Sequence, residues 1–132
     1  MDRVSHVPPI LDGSNYAFWK IRMMFYLKAI DERVWSTVCQ GWIAPVAVGD
    51  DEKLVPKSSS LWTAEEKTAA SWNSKGMNAI LNSVSPDEFK RIATCKSSKE
   101  AWNILEITHE GTKSVKKSKL QLLTSKFENI MM

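Results

Sequence analysis

The residue types best suited to metal binding or nucleophilic catalysis are two cysteines and two histidines. They lie far apart along the chain, at His6, Cys39, Cys95 and His109. Zinc ligands and Cys–His pairs normally occur at short, characteristic spacings, and no such spacing is present. His109 falls near a predicted helix end, where an imidazole interacts favourably with the helix dipole. These four residues therefore predict no metal site and no cofactor.

Acid–base and phosphate chemistry have equally little support in the sequence. Glu65 and Glu66 suit the first turn of a helix, and the acidic run 50–52 suits a solvated loop. The chain contains no glycine-rich phosphate loop, no Gly-x-Ser-x-Gly elbow and no His-Glu-x-x-His motif. We therefore predict that the protein is not an enzyme.

Lysines are concentrated in the C-terminal third, where residues 96–126 include seven lysines and three acidic residues. The candidate contacts to RNA phosphates are Lys113, Lys116, Lys117 and Lys119. On a helix, several of these ammonium groups would lie along one flank and could face a phosphate backbone. No aromatic side chain is interleaved with them for base stacking, so a solvated helix face is the favoured interpretation.

Aromatic residues are the other candidates for binding. Tyr16, Trp19 and Met23 recur at helical spacing, and a buried helix face explains them better than a ligand pocket does. The chain has six tryptophans. Two of them, Trp42 and Trp62, bracket a long predicted loop. Either they pin this loop to the domain or they are exposed to a partner, and they are the candidate interface.

The overall composition predicts one globular domain. The chain has 132 residues, of which 43% are hydrophobic and 25% charged, and its formal net charge is +3. It lacks a long apolar run and a signal sequence, and it has only two cysteines. These features predict a soluble cytoplasmic protein with no membrane contact.

Hydrophobic periodicity predicts an all-α fold, a compact bundle of about six helices without a sheet. The predicted helices are Tyr16–Ile30, Glu32–Gln40, 64–82, 86–93, 98–109 and a last one from about 114. In the first helix, Phe18, Phe25 and Leu27 are expected to widen the buried stripe. Residues 1–13 are predicted to form an extended lead-in, and 42–61 a long loop whose only candidate strand is interrupted by Pro45. The last stripe is still in phase at Met132, so the helical domain 14–132 is expected to be truncated at its C-terminus.

Three of these helix starts match the capping-box pattern. The pairs are Thr63 with Glu66, Ser85 with Glu88, and Ser97 with Glu100. In each pair the hydroxyl can accept a backbone hydrogen bond while the glutamate returns one to the cap residue. Three matches in phase with apolar stripes favour a helical domain over any strand-rich alternative.

Two blocks of sequence resemble copia-type retrotransposon Gag proteins, especially those of plants. The first block carries Gly13, Asn15, Tyr16, Trp19, Met23 and Leu27. The second carries Trp102, Leu105, Gly111, Leu120, Leu123 and Phe127. The blocks occur in the family's order, with a tryptophan-bearing helix between them, so the resemblance spans nearly the whole chain.

The resemblance implies a helical, capsid-type domain whose copies assemble into a particle around the element's RNA, without catalysis. The Cys-Cys-His-Cys zinc knuckle that many such proteins carry is absent, so no RNA binding through a knuckle is expected. The leading hypothesis is a structural module that binds weakly to itself. The alternatives are a domesticated Gag-derived adaptor that binds a host protein, and a weak RNA-binding module using the lysine flank.

Overall fold

A computed structural model describes residues 7–111 of the chain. In order, the elements are α1 (Tyr16–Ile30), α2 (Glu32–Gln40), β1 (Val46–Val48), β2 (Leu54–Pro56), a 3-10 turn (Ser59–Leu61), α3 (Ala64–Leu81), α4 (Pro86–Ile92) and α5 (Ser98–Glu110). The fold is mostly helical, with five α-helices in the described residues. The predicted sixth helix lies outside them.

The boundary between α1 and α2 is set by one residue, Asp31. Its extended backbone, with φ −174° and ψ 139°, ends α1, and its side chain caps α2 by accepting a hydrogen bond from the Arg33 N–H at 2.8 Å. The Arg33 side chain also donates two hydrogen bonds to this carboxylate, at 2.9 and 3.0 Å. The side-chain hydrogen bonds from Arg33, followed by the one from its backbone, lower the pKa of Asp31 to about 2. Gly41, at φ +91°, ends α2 in a conformation that other residues rarely adopt.

The prediction of a sheet-free loop over 42–61 is wrong. Strands β1 and β2 form an antiparallel hairpin in which Ala47 lies opposite Val55. Pro45 does not prevent the pairing because its carbonyl accepts a hydrogen bond from the Lys57 N–H at 2.9 Å, and the Lys57 carbonyl, which proline cannot serve, accepts from the Trp62 indole at 3.1 Å instead. A three-residue turn, 50–52, connects the strands, with Glu52 in the left-handed region at φ +64°.

The core lies where α1, α2, α3 and α5 meet. Its largest fully buried side chains are Trp19, Leu11, Met23, Leu27, Ile80, Ile92 and Leu105. Gly76, in the middle of α3, allows three helices to approach closely. A Cβ atom there would lie 3.2 Å from the Ser98 side chain and 3.3 Å from that of Val38. A helix-interior glycine, normally unfavourable, is explained by this contact.

Buried polar groups join the connections to the helices. Asn73 on α3 donates to the Lys96 carbonyl at 3.1 Å and accepts from the Ser98 N–H at 2.8 Å, so it satisfies backbone groups at the start of α5. The Trp19 indole donates to the carbonyls of Pro9 and Ser83, at 3.2 and 3.0 Å. The chain around Pro9 is thereby fixed against α1 and the α3–α4 connection.

The three predicted capping boxes have different outcomes. Thr63 and Glu66 form both reciprocal hydrogen bonds. Ser97 accepts from the Glu100 N–H at 3.1 Å, which is the first half of the motif. The prediction for Ser85 is wrong, because its side chain forms no capping hydrogen bond and Glu88 is buried instead. Pro86, at the first helical position, lacks an N–H, so α4 begins with fewer donors to satisfy.

Candidate interaction surface

Helix α1 is apolar on two opposite sides. Its inner side carries the buried residues Tyr16, Trp19, Met23 and Leu27. Its outer side carries Phe18, Ile21 and Phe25, which are 63%, 59% and 59% exposed. The spacings of three and four residues between these three place them on one face of the helix. We call Phe18, Ile21 and Phe25 the outer face of α1.

This arrangement corrects one prediction about α1. Phe18 and Phe25 do not widen the buried stripe, whereas Leu27 is fully buried. The inner residues already fill the contact with α2, α3 and α5, and a helix cannot turn its opposite side to the same core. The helical spacing of the outer residues is present in the sequence, but the residue types of the two stripes do not show which of them faces inward.

A shallow groove borders the outer face of α1. The chain at Val7 and Pro9 runs beside the helix, and the groove between the two has a volume of about 290 Å³. Its lining is Val7, Pro9, Ile21, Arg22, Phe25, Tyr26 and Ala29. This lining is mostly apolar, and an apolar groove beside exposed aromatic residues is typical of a protein-binding surface.

The charged residues of α1 are all positive. Helix α1 contains no acidic residue. Arg22 lies over the Phe18 ring at 5.4 Å, and Lys28 over the Phe25 ring at 5.6 Å. Lys20 is directed elsewhere, since its ammonium pairs with Glu106 and Glu110 on α5, each at 3.1 Å. The outer face is therefore an aromatic stripe with a cation at each flank.

The inner side of α1 meets a buried polar cluster that the sequence did not indicate. The Oε1 atom of Glu88 lies 2.9 Å from Nε2 of His109, and the Tyr16 ring stacks on the imidazole at 5.1 Å. Arg91 approaches the same carboxylate at 3.6 Å. Burial, and then the negative charges of Glu110 and Glu106, raise the pKa of Tyr16 well above its ordinary range. The cluster joins α1, α4 and α5.

The two candidate interface tryptophans are in contact with each other. The rings of Trp42 and Trp62 pack edge to face, with centroids 6.4 Å apart. The Trp62 indole donates to the Lys57 carbonyl at 3.1 Å, and the Lys57 ammonium pairs with Glu66 at 2.9 Å. Both tryptophans are half-buried. They hold the base of the hairpin to the start of α3.

The remaining predicted site residues divide into two groups. Trp102 and Leu105 are buried on α5, where Trp102 stacks on Trp19 at 5.5 Å. The other residues lie outside the described part of the chain, namely Lys113, Lys116, Lys117, Lys119, Leu120, Leu123 and Phe127.

The described residues carry no feature of a metal site or of a membrane-spanning helix. Within residues 7–111, no group of three or more His, Cys, Asp or Glu side chains is arranged to hold a metal ion. Burial raises the pKa of both thiols, Cys39 and Cys95. None of the helices described for this chain is both long and apolar enough to cross a membrane.

Fold and surface together define a small helical domain with an exposed apolar helix face. Residues 23–132 match the family model described as the gag-polypeptide of LTR copia-type elements. The chain therefore belongs to the copia-type Gag family. The match begins at Met23, so the earlier part of the first motif, including Trp19, lies before it. No curated protein and no solved structure matches the chain.

Proposed function

We propose that this chain is a structural self-association module of a retrotransposon Gag, and that its copies contact one another through the outer face of α1. The observation that carries the proposal is the exposure of Phe18, Ile21 and Phe25 on one face of a helix. Large apolar side chains grouped in this way on a surface usually mark an interaction site. Family membership supports a Gag-related, structural role rather than catalysis.

The size of the outer face suits a weak contact. Each of its side chains is about three-fifths exposed. Together with Val7 and Pro9 they present roughly 400 Å² of apolar surface, taking about 200 Å² for a whole aromatic side chain. Two such faces would bury roughly 800 Å², which lies in the range of weak, transient interfaces. A particle that assembles at high local concentration and later comes apart requires contacts of this kind.

The charges at the flanks also keep the contact weak. Arg22 and Lys28 lie over aromatic rings at the edge of the stripe, so their charged ends can remain in water while their stems pack. Like charges approach when two outer faces meet, and this repulsion opposes association at low salt. We therefore expect micromolar or weaker affinity, strengthened by moderate salt.

Weak RNA binding is the second candidate function. Phe18 and Phe25 alternate with Arg22 and Lys28, and interleaved aromatic and cationic side chains are typical of surfaces that bind single-stranded nucleic acid. The lysine run 113–119 would add phosphate contacts. Packaging of RNA in a particle would use both functions, since the assembled copies would present many weak contacts to one strand.

Sedimentation of the full chain from about 1 μM to about 1 mM tests self-association, because this range spans the affinity of small interfaces. The mean mass should rise with concentration, and Phe25→Glu should reduce the rise by removing the contact through the outer face of α1. Phe89→Glu is the matched control, because Phe89 is an exposed phenylalanine on α4, away from the outer face. A strict monomer at the highest concentration would contradict the proposal and favour the alternative of an adaptor for a host protein.

A further inference from the structure

The β1–β2 hairpin has two free edges that differ in their backbone groups. Gly49 donates to Lys53 at 2.8 Å and Lys57 donates to Pro45 at 2.9 Å, which fixes the alternation of the ladder. In an antiparallel pair, hydrogen-bonded and non-hydrogen-bonded positions alternate. Val46 and Val48 are therefore non-hydrogen-bonded positions, and their N–H and C=O groups point away from β2. We call these outward groups of Val46 and Val48 the β1 edge.

The opposite edge is less able to accept another strand. Leu54 and Pro56 are the residues whose backbone groups point outward there, and proline has no N–H to donate. Lys53 and Lys57 flank this strand. Proline and lysine are the residues that commonly protect sheet edges from pairing. Strand β1 itself contains neither, so only the β1 edge retains a full set of donors and acceptors.

We propose that the β1 edge pairs with the β1 edge of a second copy, as antiparallel strands centred on Ala47. In this register Val46 lies opposite Val48 of the other copy, and each pair can exchange both of its hydrogen bonds. The same pairing through β2 would lose the bonds that require a Pro56 N–H. The β1 edge is therefore self-complementary, which is the requirement for a two-fold contact between identical chains.

The side chains and charges of the hairpin favour the same arrangement. Val46, Val48, Leu54 and Pro56 share one face and are all exposed. Pairing converts two such hairpins into a four-stranded sheet with a continuous apolar face, whereas a lone two-stranded hairpin is only marginally stable. Antiparallel pairing also places the acidic turns 50–52 of the two copies at opposite ends of the strands, where they do not repel each other.

This inference rests on the proposed function and extends it. A contact that uses the same surface on both copies closes at a dimer, so larger assemblies require a second surface. The outer face of α1 and the β1 edge belong to different elements, and the two could be occupied together. Alternate use of the two contacts would link dimers into larger assemblies.

Proline substitution at one cross-strand pair tests the edge. Val48→Pro removes an outward donor from the β1 edge, and the matched control Leu54→Pro removes one from the opposite edge of the same hairpin. We expect the parent chain to exceed the mass of a dimer at about 1 mM, Val48→Pro to stop at a dimer, and Leu54→Pro to behave as the parent. Equal effects of the two prolines, or none from Val48→Pro, would overturn the inference.

The Phe25→Glu variant distinguishes this inference from the proposed function. If the β1 edge pairs, Phe25→Glu still reaches a dimer through the hairpin, and the double variant with Val48→Pro is a monomer. If Phe25→Glu dissociates the chain and Val48→Pro does not, the α1 contact stands and the edge contact is wrong. Amide exchange gives a direct readout: the Val46 and Val48 amides should become protected as concentration rises, and the Leu54 amide should not. Unchanged exchange at all three amides would contradict edge pairing.

Discussion

The carboxylate of Glu88 and the imidazole of His109 form a buried hydrogen bond of 2.9 Å that joins α4 to the end of α5. The Glu88 and His109 side chains are only 5% and 12% exposed. The Tyr16 ring covers the imidazole and links the pair to α1. A short helix such as α4, with seven residues, has little stability of its own, so this bond is one of the contacts that hold it in place.

Replacing Glu88 with alanine should therefore destabilise the fold. We expect a loss of roughly 1–3 kcal/mol in the free energy of unfolding, because the imidazole loses its partner while it stays buried. The measurement is urea unfolding followed by circular dichroism. Glu65→Ala is the control, since Glu65 is an exposed acid in the first turn of α3. Equal losses in the two variants would mean that the pair contributes nothing specific.

Trp19→Ala should be among the most destabilising substitutions in the chain. The side chain is fully buried, and its indole satisfies two carbonyls. The expected loss is roughly 3–5 kcal/mol, the range for removing a large buried aromatic side chain. Trp62→Ala, at a half-buried position, should reduce the free energy of unfolding by clearly less. Chemical denaturation of the two variants gives these losses. A loss below about 1 kcal/mol in the free energy of unfolding for Trp19→Ala would contradict the burial of this side chain.

The helical part of the fold was largely predictable because local signals mark its boundaries. Helices α1 and α2 have the predicted bounds, because Asp31 caps the start of α2 and Gly41 ends it. The hairpin was not predictable in the same way. Its strands have three residues each, too short to show alternation, and the left-handed position of its turn is occupied by Glu52 instead of glycine or asparagine.

The candidate surface was harder to predict than the fold. Glu88 matched a capping box, and a linear motif cannot show that a glutamate is needed by a histidine on another helix. Phe18 and Phe25 follow the same helical spacing as the buried stripe beside them. Which side of α1 faces inward depends on how α2, α3 and α5 pack, and that is a tertiary property.

Gly76→Ala should destabilise the protein although alanine favours helices. The added methyl group would lie 3.2–3.3 Å from Ser98 and Val38 atoms, closer than ordinary contact. We expect a net loss of roughly 1–3 kcal/mol from overpacking, measured by thermal or urea unfolding. The companion variant Gly76→Ala with Ser98→Gly removes part of the clash and should recover some stability. An increase in stability for Gly76→Ala alone would show that the helices can separate freely.

Tyr16 should make stability fall at high pH. Its pKa is raised above the ordinary value of 10.0, first by burial and then by Glu110 and Glu106. The folded chain therefore keeps Tyr16 neutral when the unfolded chain begins to ionise it. Its contribution is complete below pH 10.0 and is lost progressively as the pH rises beyond that value. Tyr16→Phe should lessen this decline, as urea unfolding at pH 8 to 11 (roughly the window set by the linkage) would show.

Tyr16→Phe should also be well tolerated at neutral pH. Among the described residues, the buried Tyr16 hydroxyl has no hydrogen-bond partner. Removing a polar group that is already unsatisfied should change stability by less than about 1 kcal/mol, and the change can be a gain. A loss above about 2 kcal/mol in the same unfolding experiments would show that the hydroxyl has a stabilising partner.

Salt should act in opposite directions on self-association through the outer face of α1 and on RNA binding. Self-association through the outer face of α1 brings Arg22 and Lys28 of two copies together, so screening by salt should strengthen it. RNA binding releases counterions from phosphates, so salt should weaken it steeply and with little dependence on sequence.

Replacing Lys116, Lys117 and Lys119 with glutamine should flatten the logarithmic salt slope of RNA binding by about two to three units, roughly one for each lost phosphate contact. Sedimentation without RNA and fluorescence anisotropy with a labelled single strand would give the two slopes. If the slope with RNA is unchanged in the triple variant, the lysine run is a solvated surface; if association without RNA weakens as salt rises, the α1 contact depends on attraction between opposite charges instead of apolar burial.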